Sequence, residues 1–147
     1  MIQQERIDPR GYVEAVAGAL RALDADVSNP RPVKLDPPIR AMRLWPSRSD
    51  YWDNEEFEDA FQLTIEWDEE YGWHLYAIEE PGAVRGMVHV HYEVGLGLVP
   101  EPDLVARRIQ EALTGESNLF TGRGRRLREA ATHDPELEAR LASHLPS

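Results

Sequence analysis

Cysteine is absent from this sequence of 147 residues, which excludes disulfide bonds, thiolate metal ligands and cysteine nucleophiles. A chain without cysteine suits a reducing compartment, so we expect a cytoplasmic protein. Long apolar segments are also absent. No run approaches the roughly 20 residues that span a bilayer, and the N-terminal segment has no apolar signal core. We therefore expect no membrane association.

Positive charge is scarce, because 16 Lys and Arg residues stand against 27 Asp and Glu residues, a formal net charge of -11. Such a chain is repelled by phosphate backbones and anionic membranes, whereas a basic protein or peptide is its easier electrostatic match. Lys34 is the only lysine. This preference for arginine is typical of GC-rich genomes, such as those of actinobacteria.

Three widespread motifs of enzymes and nucleotide-binding proteins are missing. The sequence contains no G-x-S-x-G nucleophile elbow, no G-x-x-x-x-G-K-[ST] phosphate loop and no G-x-G-x-x-G fingerprint. Their absence favours a non-enzymatic function, and we expect no cofactor.

The most informative stretch that is present is Trp67-Asp68-Glu69-Glu70-Tyr71-Gly72-Trp73. It separates two runs of alternating apolar and polar residues, 61–66 and 74–79, and this pattern predicts a β-hairpin. Alternation places one set of side chains on the core face: Phe61, Leu63, Ile65, Trp67, Trp73, Leu75 and Ala77. We expect the acidic turn to be exposed, with no burial to raise a carboxyl pKa.

Amphipathic patterns on both sides of the hairpin complete the predicted fold. Residues 9–23 are predicted to form a helix whose apolar stripe includes Tyr12, Val16, Leu20 and Leu23. Residues 39–45, whose mixed pattern leaves their facing open, and residues 87–94 are predicted to form strands. A second helix starts near Pro100 and stops at Gly115. The order of a helix, about four antiparallel strands and a helix predicts an α+β, two-layer sandwich.

The chain is expected to hold one domain over residues 1–115, followed by an Arg-bearing tail over residues 116–147. Asp134-Pro135 resembles a helix start, and three leucines follow at helical spacing, so the tail should be helical in part. Either the tail packs on the domain, or it extends as an arm.

Residues 47–59, here called the insert, carry six acidic residues and a single arginine, Arg48. Their aromatics either fold back onto the edge of the domain or form an acidic, aromatic patch for a basic partner. The residues predicted to bind such a partner are Tyr51, Trp52, Glu55, Glu56 and Phe57.

Histidines mark a second candidate site, because His89 and His91 lie two apart on a predicted strand and share one face. With simple hairpin register, Glu66, His74 and one of these two histidines form a row across three strands. His and carboxylate ligands suit zinc or a similar metal. The alternative is an ordinary polar outer face of the sheet.

A short basic run in the tail is the third candidate, with Arg123, Arg125, Arg126 and Arg128 as its cations. It is similar to a nucleic-acid-binding segment, but the negative net charge of the chain disfavours nucleic acid as a partner. Otherwise the run is a solvated turn or an intramolecular partner for the insert.

Several stretches resemble a known family. Its opening helix is similar to Gly11-Tyr12-Val13 with the alanines that follow, and its W-D-E-x-x-G-W signature to residues 67–73. Its last turn and helix are similar to Leu98-Val99-Pro100-x-Pro102. The chain resembles, over about residues 11–113, an actinobacterial family of unknown function common in streptomycetes. The resemblance implies no activity and no catalytic residue, and the insert and the tail depart from it.

Two hypotheses follow from these patterns. We favour a non-enzymatic interaction or regulatory module that binds a protein through the insert, the open sheet face or a homodimer surface. The alternative is a small metal-binding domain or metal-dependent enzyme that uses His74, His89, His91 and Glu66.

Overall fold

A computed structural model describes residues 6–35, 38–79, 88–122 and 124–145 of the chain. In these ranges the helices are α1 (Arg10–Ala22), α2 (Pro102–Thr114) and α3 (Pro135–Ala142). The strands are β1 (Arg31–Pro32), β2 (Ala41–Leu44), β3 (Ala60–Asp68), β4 (Gly72–Glu79), β5 (Val88–Glu93) and β6 (Phe120–Thr121). They form one antiparallel sheet in sequence order.

The mixed α and β composition is confirmed, but the prediction of about four strands is wrong, since the sheet has six strands within the described residues. The two additional strands, β1 and β6, contain two residues each and lie at the edges. Backbone pairing with β2 and β5 defines them, and two residues are too few for an alternating pattern.

Helices α1 and α2 pack against each other, and their buried residues share one core with the inward face of the sheet. Tyr12, Val16 and Leu20 of α1 are fully buried, as predicted, but Leu23 of the predicted stripe is 39% exposed because the helix ends at Ala22. Helix α2 stops at Gly115, whose φ of 86° is the left-handed conformation of a glycine stop. None of the helices in the described ranges is long and apolar enough to cross a membrane.

The predicted hairpin is confirmed, with Trp67 directly opposite Trp73 and both indoles buried on the core face. Each indole N–H has a partner inside the domain. Trp67 Nε1 donates to the Leu98 carbonyl at 2.7 Å, and Trp73 Nε1 donates to the Tyr12 hydroxyl at 3.0 Å. The hairpin is therefore tied both to α1 and to the segment before α2.

Phe61 is an exception, because its side chain is 67% exposed instead of facing the core. The register between β3 and β4 shifts between Ala60 and Gln62, where one extra residue forms a bulge. Ala60 is buried in place of Phe61. The prediction for Phe61 is wrong, since alternation does not continue through a bulge.

The tail packs on the rest of the chain. Strand β6 pairs with β5, and Leu137 and Leu141 of α3 are buried in the common core. Between these elements the backbone N–H of Gly122 donates to the His91 carbonyl at 2.6 Å, and that of Leu127 to the Glu70 carbonyl at 2.8 Å. The tail thus passes from β5 to the turn between β3 and β4.

Candidate functional site

The sheet face opposite α1 and α2, here called the outer face, carries most of the polar groups that sequence patterns single out. Glu66 lies on β3, His74 on β4, and His89 and His91 on β5. Their positions in the ladders show that all four occupy the same face, as alternation predicts. Arg43 of β2 joins them as the direct neighbour of Glu66.

The predicted row across three strands is wrong in its third member. Glu66 is opposite His74, but the residue of β5 opposite His74 is Glu93. His91 is instead opposite Tyr76, and His89 is opposite Ile78. Alternation determines the face of a residue, whereas the connection between two strands determines its partner.

A buried ion pair forms the centre of the outer face. His74 Nε2 lies 2.6 Å from Glu66 Oε2, and Arg43 Nε donates to Glu66 Oε1 at 2.6 Å. Glu66 is 4% exposed and His74 is 1% exposed. Burial alone would raise the pKa of Glu66, but the contacts with His74 and Arg43 outweigh it and lower the pKa. Glu66 therefore carries a negative charge that its neighbours balance.

Asp68 extends this cluster, although the sequence predicts an exposed acidic turn. It is fully buried, and burial raises its pKa. One carboxylate oxygen accepts the backbone N–H groups of Glu70 and Tyr71, at 2.8 and 2.7 Å, and the other lies 3.8 Å from His74 Nδ1. The prediction is wrong because the Asp68 side chain lies beside His74 on the outer face instead of in solvent.

Glu69, the next residue of the turn, is also buried, and several arginines surround it. Arg6 lies 2.5 Å and Arg128 lies 3.0 Å from its carboxylate, and Arg40 donates to it from both its backbone and its guanidinium. Arg40 also pairs with Glu138 of α3 at 2.6 Å. This cluster connects the hairpin turn to the tail and has the geometry of a structural anchor.

One group of three side chains in the described ranges has the arrangement of a metal site. Ligand atoms of Glu66, Asp68 and His74 all lie within 4.8 Å of one another. The predicted ligands Glu66 and His74 belong to this group, whereas His89 and His91 do not. Asp68 was missed because its place in an acidic turn indicated a solvated carboxylate.

Above the ion pair, the outer face has a cavity of about 360 Å³, between β2 and β5. The Tyr76 ring stacks on His89 with 5.8 Å between ring centroids, and its centroid lies 5.6 Å from that of His91. Arg43 covers the Tyr76 ring, with 5.4 Å between Cζ and the centroid. The cavity therefore combines aromatic walls with cationic and imidazole groups.

The insert is a second candidate site, and two of its three aromatics are buried. Tyr51 and Phe57 are 7% and 3% exposed, and their rings meet edge to face with 6.1 Å between centroids. Phe57 also packs on Tyr92 of the sheet, at 5.4 Å. These two rings fold back onto the domain, which is the first of the two alternatives for the insert.

Hydrogen bonds of Asn54 and Asp50 hold the insert in place. Asn54 Nδ2 donates to the carbonyls of Ala112 and Leu113 at the end of α2, at 2.8 and 3.1 Å. The Asp50 carboxylate accepts the backbone N–H groups of Ser47 and Asp26. The insert is thus anchored to α2 and to the chain beyond α1.

Trp52, Glu55 and Glu56 are the predicted partner-binding residues that remain exposed. The Trp52 side chain is 71% exposed, and the guanidinium of Arg48 lies over its ring with 6.0 Å between Cζ and centroid. Glu56 accepts a hydrogen bond from the Tyr92 hydroxyl at 3.1 Å, so part of its carboxylate is engaged.

The arginines of the tail lie in different surroundings. Arg128 is mostly buried against Glu69 and also donates to the Thr132 carbonyl. Arg126 pairs with Glu129 at 3.2 Å on the surface, and Arg125 is exposed. Arg123 lies outside the described residues. Arg128 therefore pairs with the hairpin turn, whereas the sequence suggested the insert as the intramolecular partner of the basic run.

The sequence profile of a family of unknown function, DUF6292, matches residues 12–111. The chain belongs to this family. DUF6292 covers the hairpin, the insert and most of α2, close to the range 11–113 in which the sequence resembles an uncharacterised family. No curated protein and no solved structure matches the chain.

Proposed function

We propose that this member of DUF6292 is a non-enzymatic, cytoplasmic interaction module that binds a basic protein segment through the insert. The observation that carries the proposal is the contrast among the aromatics of the insert. Tyr51 and Phe57 are buried as anchors, whereas Trp52 is 71% exposed on the same short segment. A tryptophan presented by an anchored segment has the character of an interface hot spot.

The charge around Trp52 favours a basic partner. The insert contains six acidic residues, and five of them are exposed: Asp53, Glu55, Glu56, Glu58 and Asp59. Carboxylates form charge-assisted hydrogen bonds with Arg, and an indole face attracts a guanidinium. The position of Arg48 over Trp52 supports this preference within the chain itself.

A groove of about 210 Å³ lies beside the exposed indole, lined by Arg48, Tyr51, Trp52, Phe57 and Glu58. Its walls are mainly aromatic, and the charged groups among the described residues that line it are Glu58 and Arg48. The aliphatic stem of an arginine or lysine can pack on such walls while its head meets the carboxylates. A partner segment with at least one Arg or Lys side chain therefore fits this surface.

The test is the affinity of a synthetic peptide of alternating arginine and glycine, measured by calorimetry at physiological salt. Replacing Glu55 and Glu58 by Gln should weaken binding at least about tenfold, since Glu58 lines the groove beside the indole and Glu55 is exposed on the same short segment. The matched control Glu14→Gln/Glu116→Gln removes the same charge from exposed positions outside the insert. Equal losses in the two double variants would show attraction to net charge alone and would refute a specific site.

A second candidate function is the binding of a divalent metal by Glu66, Asp68 and His74, because their ligand atoms converge. His74 Nε2 and Glu66 Oε2 share a hydrogen bond of 2.6 Å, which a metal held by both groups would replace. It leaves His74 Nδ1 directed towards Asp68, at 3.8 Å. Zinc and similar metals accept this combination of nitrogen and oxygen ligands.

Elemental measurement on protein purified without a histidine tag tests this second function. A metal site predicts stoichiometric zinc or a similar metal, a lower melting temperature after chelation and recovery on adding the metal. Asp68→Asn should abolish that recovery. Protein that contains no metal and shows no thermal shift with zinc would exclude the site.

A further inference from the structure

The cavity on the outer face is separate from the insert, and its size suits a small molecule. Its volume of about 360 Å³ lies within the range of small-molecule sites, roughly 300–1,000 Å³. The lining residues include Arg43, Trp45, Thr64, Tyr76, Ile78 and His91. The site thus has both apolar walls and convergent polar groups.

Arg43 is the group that gives this cavity its chemical preference. Its Nε donates to Glu66 and its Cζ lies over the Tyr76 ring, so two contacts hold the guanidinium in place. No described residue accepts a hydrogen bond from its two terminal nitrogens. A guanidinium that is held at Nε and open at its other nitrogens is prepared to bind a carboxylate or a phosphate.

The charge balance of the cavity differs from that of the whole chain. Glu66 is the one carboxylate among the described residues that line it, and both Arg43 and His74 contact that carboxylate. His89 and His91 add two imidazoles at the rim. A chain of net charge -11 therefore presents a cavity without an uncompensated negative charge.

Flat and apolar side chains form the remaining walls. Trp45 and Ile78 line the cavity, and Tyr76 and His89 form a parallel stack with 3° between their planes. Planar apolar groups pack well on such surfaces. A ligand with a ring next to its anionic group matches both parts of the cavity.

We propose that the outer-face cavity binds a small organic anion, with its carboxylate or phosphate on the open nitrogens of Arg43. The planar part of the ligand packs between Trp45 and Ile78. This site is independent of the proposed function of the insert, so either can fail without the other.

Nuclear magnetic resonance titration with four simple probes tests the proposal. Phenyl phosphate and phenylacetate are the anions, 2-phenylethanol is the neutral probe, and phenethylamine is the cation. We expect saturable shifts of the Arg43 Nε–H and Trp45 Nε1–H signals with the anions, at dissociation constants of about 10 mM or tighter. The neutral and cationic probes should bind at least about tenfold more weakly.

Two variants locate the site. Arg43→Lys keeps a cation beside Glu66 but removes the guanidinium fork, and Ile78→Trp fills the cavity without changing its charge. Each should weaken the binding of phenyl phosphate at least about fivefold, whereas the exposed control Arg31→Lys should leave the affinity unchanged. Failure of both anions to bind saturably, equal affinity for the neutral probe, or wild-type affinity in both variants would overturn the proposal.

Discussion

The guanidinium of Arg48 lies over the exposed ring of Trp52, with 6.0 Å between Cζ and the ring centroid. Arg48 therefore occupies an indole face that a partner arginine would use. Of the two residues next to Trp52, Tyr51 is buried and Asp53 is exposed. The chain thus contains an internal competitor at the centre of its proposed binding surface.

Replacing Arg48 by Gln should therefore strengthen the binding of a basic peptide. The change removes the competing cation and makes the insert more acidic, so we expect about threefold higher affinity for the arginine–glycine peptide. Calorimetric titration measures the effect. Unchanged or weaker binding would show that Arg48 does not compete for the site.

Asn54 should be needed for the anchoring of the insert. Its side chain donates to two carbonyls at the end of α2 and accepts the backbone N–H of Glu56. Asn54→Ala should lower the free energy of unfolding by about 1–2 kcal/mol in urea titrations. Asn118→Ala is the matched control, because this exposed side chain makes no hydrogen bond to a described residue. Similar losses in the two variants would contradict the anchoring role.

Gly72 should not tolerate a side chain. Its φ is +74°, and a Cβ there would lie 2.5 Å from the Gly97 carbonyl oxygen. Gly72→Ala should therefore lower the free energy of unfolding by about 2 kcal/mol or more. Gly18 in α1 is the matched control, since a Cβ there meets nothing within 4 Å. Gly18→Ala should instead stabilise the protein by about 0.5–1 kcal/mol. Equal effects in thermal unfolding would contradict this account of the hairpin turn.

Glu69 should contribute to stability in a pH-dependent way. Burial alone would raise its pKa, but its contacts with Arg40 and the charge of Arg6 outweigh burial and lower the pKa. A lowered folded pKa stabilises the protein above the ordinary Glu value, about 4.3, and the gain is lost as pH falls through the folded pKa.

Glu69→Gln should therefore lower the free energy of unfolding by about 2 kcal/mol at neutral pH. This loss is smaller than for breaking a fully buried ion pair, because the Arg6 side chain is 48% exposed. The loss should shrink as the pH falls below 4. Urea titrations at pH 7 and pH 3 measure both values, and an equal cost at the two pH values would contradict the ionic explanation.

Local patterns predict the centre of the fold well. Alternation and a short polar turn are sufficient to place Trp67 opposite Trp73 on the core face. Glycine and proline likewise mark the ends of the helices, since Gly115 stops α2 and Asp134-Pro135 starts α3. These features depend on residues that are near one another in sequence.

The features that sequence patterns miss depend on distant segments. Glu69 is buried against Arg128 of the tail, and Asp68 is buried beside His74 of the neighbouring strand. Nothing near these carboxylates in sequence indicates either contact. The bulge that exposes Phe61 and the register that places Glu93 opposite His74 are also set outside the local pattern. The cavity beside Arg43 could not be foreseen, because the mixed pattern of residues 39–45 left their facing open.

The affinity of the Trp52→Ala variant for the arginine–glycine peptide tests the proposed function most directly. Trp52 is exposed, so the free energy of unfolding of the variant should lie within about 0.5 kcal/mol of the wild-type value. It should bind the peptide at least about tenfold more weakly. The control Phe120→Ala, which removes an aromatic that is 76% exposed outside the insert, should bind as the wild type does. Wild-type affinity in Trp52→Ala would contradict the claim that the insert is the binding surface.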